Sequence, residues 1–433
     1  MSTKPLAVLG AALEGEEVGV RCVDGTIAAL GPEVAPEPGD ETIDAKGAPL
    51  VAPMVNGHTH AAMTLFRGFG GDLPLMRWLR EVVWPVEAKL EAEDVYWGVR
   101  LACAEMIRTG TTRFWDMYWH PGATARAVRD AGLRATIGGA LFDADGKTEA
   151  MEAMALDNLD ELAEFGPRIA AALAPHSIYT VSEGLLRWTA EQAAERRLPV
   201  HIHLSETEQE VEDCVAAHGV RPAVYLDRLG VLNERTIVAH GVWLDEEELA
   251  LIAARGCTVV TNPVANMKLA VGGVFPYPAA RNAGVAVGLG TDGSGSNDSL
   301  DLLADLKVFA LAQRHAIGDP TVLPAEEAWR IATGANAPFL RGEANETNVL
   351  HVRHAERSFR EIGEPADFLL LRAGSPELSL GDLHSDLVYA ANGSIVDTTV
   401  VGGEVLMRGG EVPGVEEVVA RALERSRRLG IDS

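Results

Sequence analysis

From Pro53 to Asn336, short apolar runs alternate with longer stretches of helical periodicity. The segments APMVNGHTH, TTRFWDMYW, IAAALAPHS, PVHIHLSE, TIVAHGV, CTVVTNP and VAVGLGTDG are mostly apolar until they close on polar residues, as strands buried on both faces of a parallel sheet do. Between them, SEGLLRWTAEQAAERR and DEEELALIAARG space apolar residues three and four apart, which predicts amphipathic helices. Repeated βα units over nearly three hundred residues predict an α/β fold, a (β/α)8 TIM barrel. An open doubly wound sheet is the alternative, but no G-x-G-x-x-G turn follows the first strand to favour it.

The two ends of the chain read differently. VGVRCVDGTIAALG and ETIDAKGAPLVAP near the start, and ADFLLLRAG and LVYAANGSIVDTTVVGGEVLMRGGEV near the end, suggest short strands broken by glycine turns. They predict one small β-sandwich domain assembled from both termini. Residues 1–52 would form its N-terminal part, 53–350 the catalytic barrel, and 351–433 its C-terminal part with a closing helix, VEEVVARALERSRRLG.

Composition narrows the class. A chain of 433 residues with 47% apolar content can bury one large core and a smaller one. The formal net charge of −26 disfavours nucleic-acid and anionic-membrane partners, whose phosphates require a basic face. Cys22, Cys103, Cys214 and Cys257 form no C-x-x-C pair, which argues against a disulfide framework or an all-cysteine metal site and suits a reducing compartment. The N-terminus has no basic region followed by a long apolar run, and no apolar stretch reaches the ~18 residues of a membrane span. A cytoplasmic protein is expected.

Barrel enzymes carry their chemistry at the C-terminal ends of the strands, so the polar residues closing the apolar runs draw attention. His58 and His60 end one run, and their i, i+2 spacing puts both imidazoles on one face of a strand, able to clasp one ion. His203, His240 and Asp292 end three others. Imidazole and carboxylate ligands with room for water suit a catalytic divalent metal, zinc first and iron second, whereas calcium or magnesium would want an oxygen cage. His201 shares the spacing before His203 and is assigned a supporting place. Glu206, three residues past His203, falls just beyond the strand end, where a carboxylate can work as general acid and base. The bland alternative is that Glu206, Glu208, Glu210 and Glu212 form a charged helix start.

The segments NGHTHAAMTLFRGFGGDLPLMRWL, WPVEAKL, APHSIYT, HIHLSETEQEV, VAHGVWL, NPVANMKLA and GTDGSGSNDSLDLL, in this order, resemble the amidohydrolase superfamily. The similarity is to its branch of 5-methylthioadenosine/S-adenosylhomocysteine deaminases and related aminohydrolases. The resemblance implies a (β/α)8 barrel with a small β-sandwich. It implies metal ligands at His58, His60, His203 and Asp292, a proton shuttle at Glu206, and His240 beside the reacting water. Asp292 would also be the base. Members that bridge two metals use a carboxylated lysine, and no lysine lies between Lys147 and Lys268, so one metal is implied. Glu87 would receive ribose hydroxyls and His176 would contact the nucleoside, while Trp84, Trp78 and Phe66 are candidates for apolar walls or for core.

The implied reaction is hydrolytic deamination of a small amino-substituted heterocycle, by a homo-oligomer if this chain follows its relatives. Deaminases that take S-adenosylhomocysteine carry arginines after the third strand, where this chain reads GGALFDADGKTEAM. The expectation therefore shifts to adenosine, 5'-deoxyadenosine or methylthioadenosine, with aminodeoxyfutalosine, guanine, isoguanine and pterins behind them. Triazine chlorohydrolysis on the same scaffold is the rival chemistry, and a catalytically dead barrel acting as a binding protein is the rival class. His351 and His354 are expected at the surface.

Overall fold

The computed structural model describes residues 4–71, 73–143, 146–342, 361–378 and 381–431. His351, His354 and the expected boundary at residue 350 lie outside them. The apolar runs form an eight-stranded parallel sheet paired in chain order: β1 (Met54–Thr59), β2 (Thr111–Tyr118), β3 (Arg134–Leu141), β4 (Ile169–Pro175), β5 (Val200–Leu204), β6 (Thr236–His240), β7 (Thr258–Thr261) and β8 (Ala286–Leu289). Helices, among them Glu183–Arg196 and Glu246–Arg255, connect the strands and cover the outside, which gives the (β/α)8 fold. Strand β3 is absent from the apolar segments singled out by pattern. Its GG pair weakens the strand signal, but Gly138 is needed there, since a Cβ would come within 2.5 Å of Ala174 Cβ on β4.

The seam between β1 and β8 is closed by side chains as well as backbone. Asn56 accepts from the Thr291 N–H at 3.1 Å and donates to Thr291 Oγ1 at 2.8 Å. The Asp292 N–H donates to the His58 carbonyl at 3.0 Å. These contacts bring the residue that follows β8 beside the histidines that close β1.

Two four-stranded sheets lie outside the barrel. One contains Leu6–Leu13, Glu16–Val23, Thr26–Gly31 and Glu41–Asp44, all N-terminal. In the other, Leu50–Val51 pairs with the late strand Phe368–Leu371, which is followed across the sheet by Val396–Val401 and Glu404–Met407, so both ends of the chain meet in it. A shared apolar core, including Leu6, Val8, Val20, Ile27, Phe368 and Val400, joins the sheets. Part of the late texture was misread as strand: Asp386–Ala390 is helical, with Leu387 and Val388 buried against barrel helices. The helix Val415–Leu429 packs on the barrel helix Ala92–Thr109, and Arg428 pairs there with Asp94. All four cysteines are free and buried. Among the described residues, no helix is long and apolar enough to cross a membrane.

Candidate metal centre and active site

The C-terminal ends of β1, β5 and β8 converge. His58, His60, His203 and Asp292 each offer one ligand atom, and all four atoms lie within 4.8 Å of one another. Asp292 Oδ1 sits 3.4 Å from His58 Nε2 and 3.2 Å from His60 Nε2, and the Nε2 atoms of His60 and His203 are 3.3 Å apart. Ligand atoms placed tetrahedrally at about 2.1 Å from one ion would be about 3.4 Å apart, so these spacings suit one cation. His58 Nε2 is fully buried with no hydrogen-bond partner, a cost that a coordinated ion removes. The donor set is thus a fit for one divalent metal.

The far side of each ring fixes its aim. His60 Nδ1 donates to the Met117 carbonyl at 2.6 Å and His203 Nδ1 to the His176 carbonyl at 2.7 Å, which aims both Nε2 atoms inward. His58 Nδ1 meets His201 Nε2 at 2.8 Å, giving His201 the supporting place expected of it. Ser296 Oγ donates to Asp292 Oδ2 at 2.6 Å and leaves Oδ1 for the cluster. Burial favours a protonated Asp292, but His58 and His60 outweigh it and hold the carboxyl well below its ordinary range.

His240 closes β6 but stands outside the set of four. Its Nδ1 is held by Asn266 Oδ1 at 2.8 Å, and its Nε2 faces Glu206 Oε2 at 3.9 Å. Glu206 is buried, and that burial raises its affinity for a proton above that of an ordinary glutamate, with His240 opposing. The four glutamates after β5 therefore part company: Glu206 and Glu210 are buried, whereas Glu208 and Glu212 are exposed. Three strand ends here hold non-glycine residues in the left-handed region, Ser205 at φ 50°, His240 at 73° and Asp292 at 61°. Such backbone costs on the order of 1–3 kcal/mol per residue and persists where its surroundings dictate it.

Above the cluster opens a cavity of about 630 Å³, mouth included. His60, His203, Glu206, His240, Asp292 and Ser296 line its floor. Glu87 and His176 stand in its wall, with Trp78 and Trp84. Phe66 is instead fully buried in the barrel core. Glu87 lies beside Tyr118 and Trp119, and burial pushes its carboxyl up. Burial likewise drives His176 down to about 3, so it faces the cavity as a neutral ring. Phe142 also lines the wall, its ring 5.3 Å from Trp119 and 4.3 Å from His176. Among the described lining residues there is no lysine or arginine. Asn266, Ser296, Phe142 and the carbonyls of Met117 and His176 were not assigned places from sequence. NPVANMKLA and GTDGSGSND contain the first two, but nothing in the local pattern separates them from ordinary turn residues.

A largely buried His3Asp cluster at the C-terminal rim of a (β/α)8 barrel defines a metal-dependent hydrolase class. Residues 50–344 match the amidohydrolase family, and the chain belongs to it. It is 46% identical over 393 residues to a 5'-deoxyadenosine deaminase of Methanoregula boonei, covering 89% of this chain and 86% of that one. It is 39% identical over 398 residues to 5-methylthioadenosine/S-adenosylhomocysteine deaminase 1 of Archaeoglobus fulgidus, covering 90% of each. The crystal structure of an adenosine deaminase from Xanthomonas campestris with bound zinc superposes with a TM-score of 0.88 at 33% identity, covering 99% of both chains.

Proposed function

We propose that this chain is a mononuclear metal-dependent deaminase that hydrolyses the exocyclic amino group of an adenosine-type nucleoside, releasing ammonia and the inosine-type product. The observation that carries this reading is a buried carboxyl, Glu206, beside the four-ligand cluster but outside it. Breaking an aromatic C–N bond with water requires a proton on the ring nitrogen, and Glu206 would give it. The names of the relatives at 46% and 39% identity support the same chemistry.

His58, His60, His203 and Asp292 would hold the ion. When bound, it supplies the Lewis acidity that makes water a nucleophile near neutral pH. Asp292, aimed by Ser296, takes a proton from the attacking water while Glu206 protonates the ring nitrogen next to the attacked carbon. His240, its Nδ1 hydrogen committed to Asn266, presents Nε2 as an acceptor that orients the water. The second water proton passes to the amino group, the C–N bond breaks and ammonia leaves, and the proton taken by Asp292 returns to Glu206 to restore the pair. Zinc is the first choice of metal on the donor set and iron the second.

Glu87 and His176 would contact the sugar and the nucleoside, Glu87 by accepting from ribose hydroxyls. Three carboxylates and, among the described lining residues, no lysine or arginine favour a neutral 5' end, so 5'-deoxyadenosine, adenosine and methylthioadenosine should outrank S-adenosylhomocysteine, whose carboxylate would lie unpaired. An ammonia-release screen of the zinc-loaded protein over these four compounds, guanine, a pterin and a chlorotriazine tests the reading. Ammonia from the adenosine compounds is expected. Release from none of them, or chloride release from the triazine alone, would sink it.

A further inference from the structure

We propose that Glu210 is a positioning residue for Glu206, clamping the turn that carries it. The inference rests on the deaminase reading and adds a residue to its machinery. Glu210 is the third residue of the helix Glu208–His218, whose first turn is capped by Thr207 accepting from the Glu210 N–H at 3.1 Å. A glutamate at this position commonly returns to the backbone of the capping residue. Glu210 reaches further: Oε1 accepts from the Ser205 N–H at 2.8 Å and Oε2 from the Glu206 N–H at 2.9 Å. Both carboxylate oxygens are thereby spent on two successive amides immediately after β5.

The chain has a reason to need this grip. Ser205 adopts φ 50°, a conformation that a non-glycine residue leaves unless its neighbours prevent it. The carbonyls of Leu204 and Ser205 are held by the N–H groups of Gly241 and Trp243 at 3.0 and 2.9 Å, so the loop after β6 fixes one side of the turn. Glu210 fixes the other. A carboxylate buried to 6% exposure is expensive, and one that touches neither substrate nor ligand set needs such a structural return. With the turn released, Glu206 loses the backbone direction that points its carboxyl at the ring nitrogen, while the ligand set, fixed by other carbonyls and by Ser296, stays.

Glu210→Gln is the first test, since its amide can accept from only one of the two N–H groups and sets a donor against the other. Glu210→Asp, shorter by one methylene, is the second. For both, kcat on 5'-deoxyadenosine should fall roughly tenfold or more, as displaced catalytic groups lose rate, with KM within about threefold and bound zinc unchanged. In the Glu206→Gln background, Glu210→Gln should cost little further, because the two act as a unit. Wild-type kcat in both variants, loss of zinc, failure of both to fold, or additive losses in the double variant would each overturn the assignment. If the wild-type protein deaminates no adenosine compound, it is the deaminase reading that has failed, not the clamp.

Discussion

The rim of the barrel and the core between the two outer sheets solve opposite problems. Between the sheets, buried residues such as Leu6, Val20, Ile27 and Phe368 are apolar, and each one removed from water adds stability at about 25 cal/mol per Å². At the rim, His58, His203, Glu206, Glu210, His240 and Asp292 are all buried, and three strand ends are held at positive φ. Every such residue costs free energy unless it is paired. One region is built for the stability of the fold; the other draws on that stability to keep polar groups poised.

The comparison can be broken from either side. The largest effect is expected at the rim. His203→Ala should remove bound zinc and turnover together, whereas Glu206→Gln should lower kcat by roughly a thousandfold, about 4 kcal/mol of barrier, with full zinc content by elemental analysis. Zinc loss from Glu206→Gln would mean its role is misplaced. Phe368→Ala should cost about 3–5 kcal/mol in denaturant unfolding, because Phe368 is completely buried between the sheets, while kcat per folded molecule stays within about twofold. A large drop in kcat there would show that the two regions are coupled. The smallest effect is expected for Asn266→Ala, which removes the 2.8 Å partner of His240 Nδ1 and leaves Asn262 Nδ2 at 3.3 Å: about a tenfold fall in kcat, with unfolding little changed.

The sequence disclosed the first set of residues because a strand end advertises itself. His58, His60, His203, His240 and Asp292 each close an apolar run, and the fold brings those closures together. Apart from His201, it did not disclose their supports. The partners of His60 and His203 are main-chain carbonyls, which have no letter in the sequence. Glu210 enters the sequence reading only in the alternative that four glutamates form a charged helix start, because one glutamate in a run resembles the next; only the turn at Ser205 sets it apart. Strand β3 hid behind its glycines, and Asp386–Ala390 passed for a strand because five residues are too few to display a helical period. The outer sheets were legible as texture, but not the pairing of Leu50–Val51 with a strand three hundred residues later, since register is written in contacts distant along the chain.

Because the carbonyls of Met117 and His176 hold the ligand rings, replacing either side chain leaves those two acceptors in place. His176 turns its imidazole to the cavity and its carbonyl to His203, so on the proposed reading one residue would meet the incoming molecule with its side chain and steady an ion ligand with its main chain. Natural variation at such a position can retune what is bound without disturbing what does the work. A lineage built this way is free to explore new substrates around an unchanging centre, and the cavity wall is where its members should diverge first.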